Sequence, residues 1–367
     1  MVDPRVELLS LLFRLAGNPE YNQAKVESYT ADVEKQFGDQ RDHAAVKLAR
    51  QLRETRGVSY DACMSLAVHL KNADELQLVV PLRPWPEGLD GRWTSASVNA
   101  FLAAARRFVK DTSFREFIQQ HRSLYTNTAS RLEALLKEGH LEWFHTYFGD
   151  RPRAVFTVTP GLLNGGGSYG PHCRDATGQE RLYCILGVWQ TGRDGLPEFN
   201  PSLLGTVVHE FCHSYANTIV DRHRTELSVA GEKLFKHVAG NMRSQAYGDA
   251  QTLLRESLVR ACSVRYQRQY GGAAAARQEI EHNRSRGFVW TEELSNLLAE
   301  YEAQRDRYPT LESFAPRLVA FFNSYAEKFD QEQRARPGKR PKLVSMTPVN
   351  GAKDADPGLT ETQVTPA

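Results

Sequence analysis

Apolar residues recur at three- and four-residue spacing through most of residues 1–150, in the stretches 6–15, 44–52, 62–70, 98–109 and 129–136. That period gathers them on one face of a helix, so the first part of the chain reads as a helical support. The run Pro81-Leu82-Arg83-Pro84-Trp85-Pro86 breaks the series, and Thr94 or Ser95 offers the next helix start. From Ala154 to Thr159 the pattern changes to a β-branched run ending at Pro160-Gly161, and a second run covers 182–189. Two strands are the economical reading.

Between them lies Asn164-Gly165-Gly166-Gly167-Ser168-Tyr169-Gly170. No Gly-Lys-Ser/Thr follows, which excludes a P-loop, and no strand leads into a helix there, which excludes a dinucleotide fingerprint. It reads as an edge-strand or loop feature able to line a cleft. After Asp194-Gly195 the helical period returns over 202–219, 227–247, 252–270, 292–305 and 314–329. The predicted fold is α+β and mainly α: a helical region over 1–150, a small sheet with a glycine-rich edge and a second helical region over 151–330, and a tail over 331–367 rich in Pro, Lys and Gly that reads as a linker.

With 41% hydrophobic and 25% charged residues, the 367-residue chain can bury a sizeable core. The 46 Lys and Arg against 44 Asp and Glu are scattered, so neither nucleic acid nor an anionic membrane surface is indicated as partner. No apolar run is long enough for a membrane span, and no secretory signal is visible. Five cysteines with no CxxC spacing exclude a zinc ribbon; Cys173 and Cys184 could pair across a hairpin, or all five could be isolated buried thiols.

The chemistry concentrates in Val207-Val208-His209-Glu210-Phe211-Cys212-His213. On a helix His209 and His213 share a face and offer two imidazole nitrogens to one cation, which zinc accepts at about 2.0 to 2.1 Å. Glu210 emerges about a quarter-turn away and can serve as general base toward water in the open coordination position. Three fixed positions in five also arise by chance. Val207, Val208 and Phe211, however, place this helix in the interior, where such polar groups are costly without partners.

A third ligand is needed. The metzincin pattern is excluded because Ala216 and Ile219 stand where Gly and His would be. Asp221, His223, Glu226, Glu232 and Glu256 remain. Glu256 ranks first, since it interrupts an apolar helix and has Arg260 one turn later to hold it, although a plain surface pair would look the same. Glu232, nineteen residues after His213, is the alternative. Asn217 either orients a ligand or caps the helix. Tyr169, Tyr215, His223 and Tyr266 are of the right type to stabilise an oxyanion.

The runs His209-Glu210-Phe211-Cys212-His213-Ser214, Ser168-Tyr169-Gly170 and Glu256-Ser257-Leu258-Val259-Arg260-Ala261, with the opening Val6-Glu7-Leu8-Leu9 to Gly17-Asn18-Pro19-Glu20-Tyr21, resemble the bacterial proteins grouped as domain-of-unknown-function family 4932. These look like gluzincin-type zinc peptidases, and the resemblance spans most of 1–330. It implies a zincin-like catalytic region, one zinc ion on His209, His213 and Glu256, Glu210 as base, and a peptide or protein substrate. Arg260 departs from the Asp expected at that position. The stretch 344–357 is similar to the first strand of bacterial immunoglobulin-like modules, which implies a longer, exported protein. Two other functions share these residues: a zinc amidase acting on cell-wall material, and a non-catalytic helical scaffold with a degenerate metal site.

Overall fold

The computed structural model describes residues 1–149, 151, 153–245 and 247–335. The fold is mainly α with some β, as the periodicity predicts, but the β part is a three-stranded and a two-stranded sheet where the sequence predicts one small sheet of two strands, because the added strands are only two or three residues long. α1 (Pro4–Leu15) begins at Asp3, whose side chain accepts from the Arg5 amide, with Pro4 in the first turn where a missing N–H costs nothing. Almost all of α1 is buried, Glu7 and Ser10 included, so it is the centre of a cluster rather than a surface helix with one apolar stripe. α2 (Glu27–Phe37), α3 (Ala44–Arg56), α4 (Asp61–Val68), α5 (Ser95–Asp111) and α6 (Phe114–Gln120) contribute the rest of that first cluster. α5 starts with a capping box between Thr94 and Ser97.

Two further helices, α7 (Arg122–Glu138) and α8 (Trp143–Phe148), lead into the sheet. β1 (Ala154–Gly161) runs parallel to β3 (Glu180–Gly187), in register from Ala154 opposite Glu180 to Gly161 opposite Gly187. β2 (His172–Arg174) pairs antiparallel on the other side of β3. Alternation along β3 sends Tyr183 and Ile185 into the first cluster and Leu182, Cys184 and Leu186 into a second one. A hairpin of β4 (Gln190–Thr191) and β5 (Pro197–Glu198) follows. The second cluster is built from α9 (Leu203–Arg222), α10 (Arg224–Ser244), α11 (Ala250–Tyr270), α13 (Thr291–Ala303) and α14 (Ala315–Ala335), with α12 (Gly272–Ser285) along its outside. At its centre α11 is buried over most of its length.

Each cluster draws on both sides of residue 150: Leu162, Leu163 and Tyr169 belong to the first, Leu132, Leu135 and Trp143 to the second. The Cys173–Cys184 pairing does not form, and all five cysteines are free and buried. Cys173 stands opposite Arg181 and points into the first cluster, while Cys184 points into the second, so the sheet itself separates them. Helices α6, α8 and α12 lack the repeated apolar stripe that reveals a helix, and α2 shows only a thin one of Tyr29, Val33 and Phe37; α12 buries only Ala276 and Asn283. The stretch 331–335, read as linker, is the last turn of α14, and the rest of the tail, with the immunoglobulin-like stretch, lies outside the described residues. No described helix is long and apolar enough to cross a membrane.

Glu7 is fully buried in the first cluster, where its Oε1 accepts from the Leu162 amide at 2.8 Å. Burial pushes its carboxyl up to about 8. The folded state therefore holds a proton there that the unfolded chain releases near its ordinary value. This contribution is fully present below about pH 4.5 and is lost as pH rises to about 8. Glu7→Gln is expected to remove that loss, on the order of a few kcal/mol. Thermal melts of the two proteins from pH 5 to pH 8 check this, and parallel melting curves would contradict it.

Candidate metal centre

α9 lies between β3 and α11. Its buried side carries Val207, Val208, Phe211, Cys212, Tyr215 and Ala216. The three residues His209, His213 and Asn217 follow one another at four-residue steps along the other side, with Glu210 beside them. The His209 and His213 Nε2 atoms are 3.2 Å apart. Glu256, from α11, meets both: its Oε1 is 3.3 Å from His213 Nε2 and its Oε2 3.7 Å from His209 Nε2. The donor atoms of these three residues lie within 4.8 Å of one another, a group that could hold a metal ion.

A second ring of contacts fixes them. His213 Nδ1 is 3.2 Å from Asn217 Oδ1, which turns Nε2 toward His209 and Glu256. α9 continues to Arg222, so Asn217 is a ring-orienting residue and not a helix cap. Arg260, one turn beyond Glu256, places Nη2 3.1 Å from Glu256 Oε2. Its own place is set by Asn283 Oδ1, which accepts from Nη1 at 2.7 Å, by the Tyr247 hydroxyl, which accepts from Nη2 at 3.1 Å, and by the Phe288 ring. Even so, Glu256 Oε2 is a buried oxygen with no hydrogen-bond donor aligned on it.

Charge follows from this geometry. Burial opposes ionisation of Glu256, but His213, His209 and Arg260 outweigh it and hold the carboxyl well below the usual range. Burial pushes His209 down to about 3, which leaves it neutral with a free lone pair. Burial acts the same way on His213, yet the adjacent Glu256 carboxylate overrides it and raises this imidazole to about 9. Glu210 is raised to about 7 by burial, against the pull of His213.

The glycine-rich run forms the wall over this face. Tyr169 exchanges both backbone hydrogen bonds with Ile185, at 2.9 and 2.8 Å, and so extends the β2 edge. Gly170 then passes directly over Glu210: a Cβ there would lie 2.9 Å from Glu210 Oε2 and 3.0 Å from its carbonyl oxygen, closer than packed atoms approach. A cavity of about 520 Å³ opens beside it, lined by Gly170, His172, Leu182, His213 and Asn217 among others. A larger cavity, about 1030 Å³, is on the opposite face of the sheet around Arg5, Thr157 and Tyr183, away from this chemistry.

Other residues singled out from sequence lie elsewhere. Glu232 is exposed on α10 and outside the cluster. Asp221 pairs with Arg255, and His223 with its neighbour Glu226. The Tyr266 hydroxyl accepts from the His140 amide at 3.3 Å and its ring packs on Trp143, ten residues or about 15 Å along α11 from Glu256. Tyr169 is buried in the first cluster, and Tyr215 stacks on Phe148 in the second. Conversely, Tyr247, Asn283 and His172 reach the site or its cavity without having been anticipated. Tyr247 stands in a helix connection, Asn283 on a helix with no apolar stripe, and His172 on a three-residue strand, so none carries a periodic signal.

In metal-free protein the His213 imidazole should titrate near pH 9, and Glu256→Gln should bring it down by removing the carboxylate that sustains the proton. NMR titration of the ring protons measures this; an unchanged midpoint would mean that Glu256 does not govern His213.

No curated protein and no solved structure matches the chain. A family model does: the one described as Domain of unknown function (DUF4932) matches residues 1–321. With seven-eighths of its length so matched, the chain belongs to that family.

Proposed function

We propose that this protein is a zinc-dependent metallopeptidase that hydrolyses peptide bonds with water, using Glu210 as general base. The observation carrying this reading is the convergence of two α9 imidazoles and one α11 carboxylate on a single point, with Glu210 on the adjoining face of α9. Two imidazoles and a carboxylate are a donor set suited to catalytic zinc, with a coordination position left for water. Glu256 Oε2 has the Arg260 guanidinium at 3.1 Å behind it, and the carboxylate still presents Oε1 to His213 Nε2 at 3.3 Å, on the side where the imidazole nitrogens gather. His209, His213 and Glu256 would hold the ion. Zinc bound there supplies Lewis acidity, which activates water and polarises the amide carbonyl.

The chain's own groups supply the rest. Glu210, raised to about 7, stands near the balance point between its two protonation states at neutral pH. Its carboxylate can take a proton from the attacking water and return it to the departing nitrogen. Gly170 lets the wall backbone lie directly against Glu210, since a Cβ at 170 would meet both Oε2 and the carbonyl oxygen. Asn217 holds the His213 ring, and Arg260 holds the Glu256 carboxylate in the orientation the two imidazoles need.

Mass spectrometry should find one equivalent of zinc in the purified protein and in Glu210→Gln, with turnover of the latter down at least ~10²-fold on any peptide the wild type cleaves. His213→Ala and Glu256→Ala should lose the metal, and Glu232→Ala should keep it. Full turnover by Glu210→Gln would remove the assigned base, and undiminished zinc in Glu256→Ala would remove the third ligand. A parallel panel of glycan-linked amides separates peptidase from cell-wall amidase.

A further inference from the structure

The edge of the three-stranded sheet brings one more polar side chain to the metal centre. Tyr169 opposite Ile185 and His172 opposite Leu182 keep a single antiparallel register, so Gly170 falls opposite Cys184. Facing residues of such a pair point to the same side of the sheet. Leu182 and Cys184 pack in the second cluster, which holds the buried side of α9, so His172 and the absent side chain of Gly170 both face that helix. A Cβ at Gly170 would meet Glu210, and His172 follows two residues, about 7 Å, farther along the strand. There it lines the 520 Å³ cavity together with His213, Ser214 and Asn217.

The outer side of this cavity is built as firmly as the inner. Gly88 lies against β2, where a Cβ would come 2.2 Å from the His172 carbonyl oxygen and 3.0 Å from its Cδ2. His69 Nε2, 3.1 Å from the Glu87 carbonyl oxygen, and Arg174 Nε, 3.1 Å from the Glu87 carboxylate, hold that segment in place. The half-buried His172 ring makes no hydrogen bond among the described residues, and burial keeps it below the usual histidine range. A neutral imidazole has one donor and one acceptor to offer. The Ser214 hydroxyl has no partner among the described residues either, and Asn217, with Oδ1 on His213, leaves Nδ2 uncommitted.

The charged groups around the cavity are, by contrast, already matched. Glu180 pairs with Arg151 at 2.6 Å, Glu87 with Arg174 and Arg222 with Glu312 at 3.1 Å, and Asp221 with Arg255 at 2.6 Å. A charged substrate group would find no free counter-charge here, and an apolar one would strip water from three polar groups without replacing it. We infer that this cavity is the specificity subsite beside the cleaved bond, and that His172 selects there an uncharged hydrogen-bonding side chain, the carboxamide of Gln or Asn. This rests on the peptidase reading above. A carboxamide both donates and accepts, which answers the imidazole, the hydroxyl and the free amide nitrogen together.

The test uses zinc-loaded wild type, His172→Phe, His172→Ala and His172→Gln with a peptide library varied at each position flanking the cleaved bond. At one of those positions wild type should cleave Gln or Asn peptides with kcat/KM at least ~10-fold above Leu, Lys or Glu peptides. His172→Phe and His172→Ala should keep one equivalent of zinc and bring the Gln-to-Leu ratio close to one. His172→Gln, whose amide also donates and accepts, should restore most of it. The ratio is read within each variant, so a smaller folded fraction does not alter it. A wild type that cleaves the library but favours Leu, Lys or Glu at both positions, or a ratio unchanged in His172→Phe, would overturn the inference while leaving the peptidase reading standing. A wild type that binds zinc but cleaves no library peptide would overturn both.

Discussion

Burying Glu256 to 6% exposure removes a carboxylate from water, a cost of several kcal/mol unless opposite charge surrounds it. Arg260 lies behind it and the imidazoles of His213 and His209 in front. Arg260 is buried too, and it is divided among Glu256, the Asn283 amide, the Tyr247 hydroxyl and the face of Phe288. The distance between α9 and α11 is thus set by charge neutralisation as well as by apolar packing. Elements with no part in the imidazole pair, α12 and the connection before α11, are drawn in to complete that neutralisation.

The sheet plays a different part. Its two faces feed two apolar clusters, each organised around a helix buried almost throughout, α1 in one and α11 in the other. Both helices carry polar residues where a surface helix would have none: Glu7 and Ser10 on α1, Glu256, Ser257, Arg260 and Ser263 on α11. Those on α11 serve the imidazole site or bond within their own helix. Those on α1 reach the turn after β1, where Glu7 accepts from the Leu162 amide and Ser10 donates to Asn164 Oδ1 at 2.7 Å.

What could be read from sequence follows the range of the interactions. His209, Glu210 and His213 are four residues or fewer apart, and helix geometry alone brings them together. Glu256 was recognisable because a carboxylate in an apolar helix demands a partner. Gly170 over Glu210 depends on the register of Tyr169 with Ile185, which no local pattern states. Asn283 sits on a helix that is polar nearly all round, and Tyr247 in a connection, so neither is marked as belonging to a site. The strand runs around Val155 and Ile185 were legible, but parallel pairing was not, since alternation carries no direction. Of the two readings open for the cysteines, isolated buried thiols hold and the Cys173–Cys184 pairing does not, since residues near in sequence on neighbouring strands can face opposite ways.

The two polar contacts from α1 to the Leu162–Asn164 turn tie the first residues of the chain to the strip of backbone that roofs Glu210, roughly 160 positions later. The helical first half is for that reason not a detachable module that evolution could trade for another fold while retaining the imidazole pair. A piece beginning near residue 150 would expose the half of the sheet that Tyr183 and Ile185 now seal and would leave the roof without its underside. Both halves of the fold fall within the family match over residues 1–321.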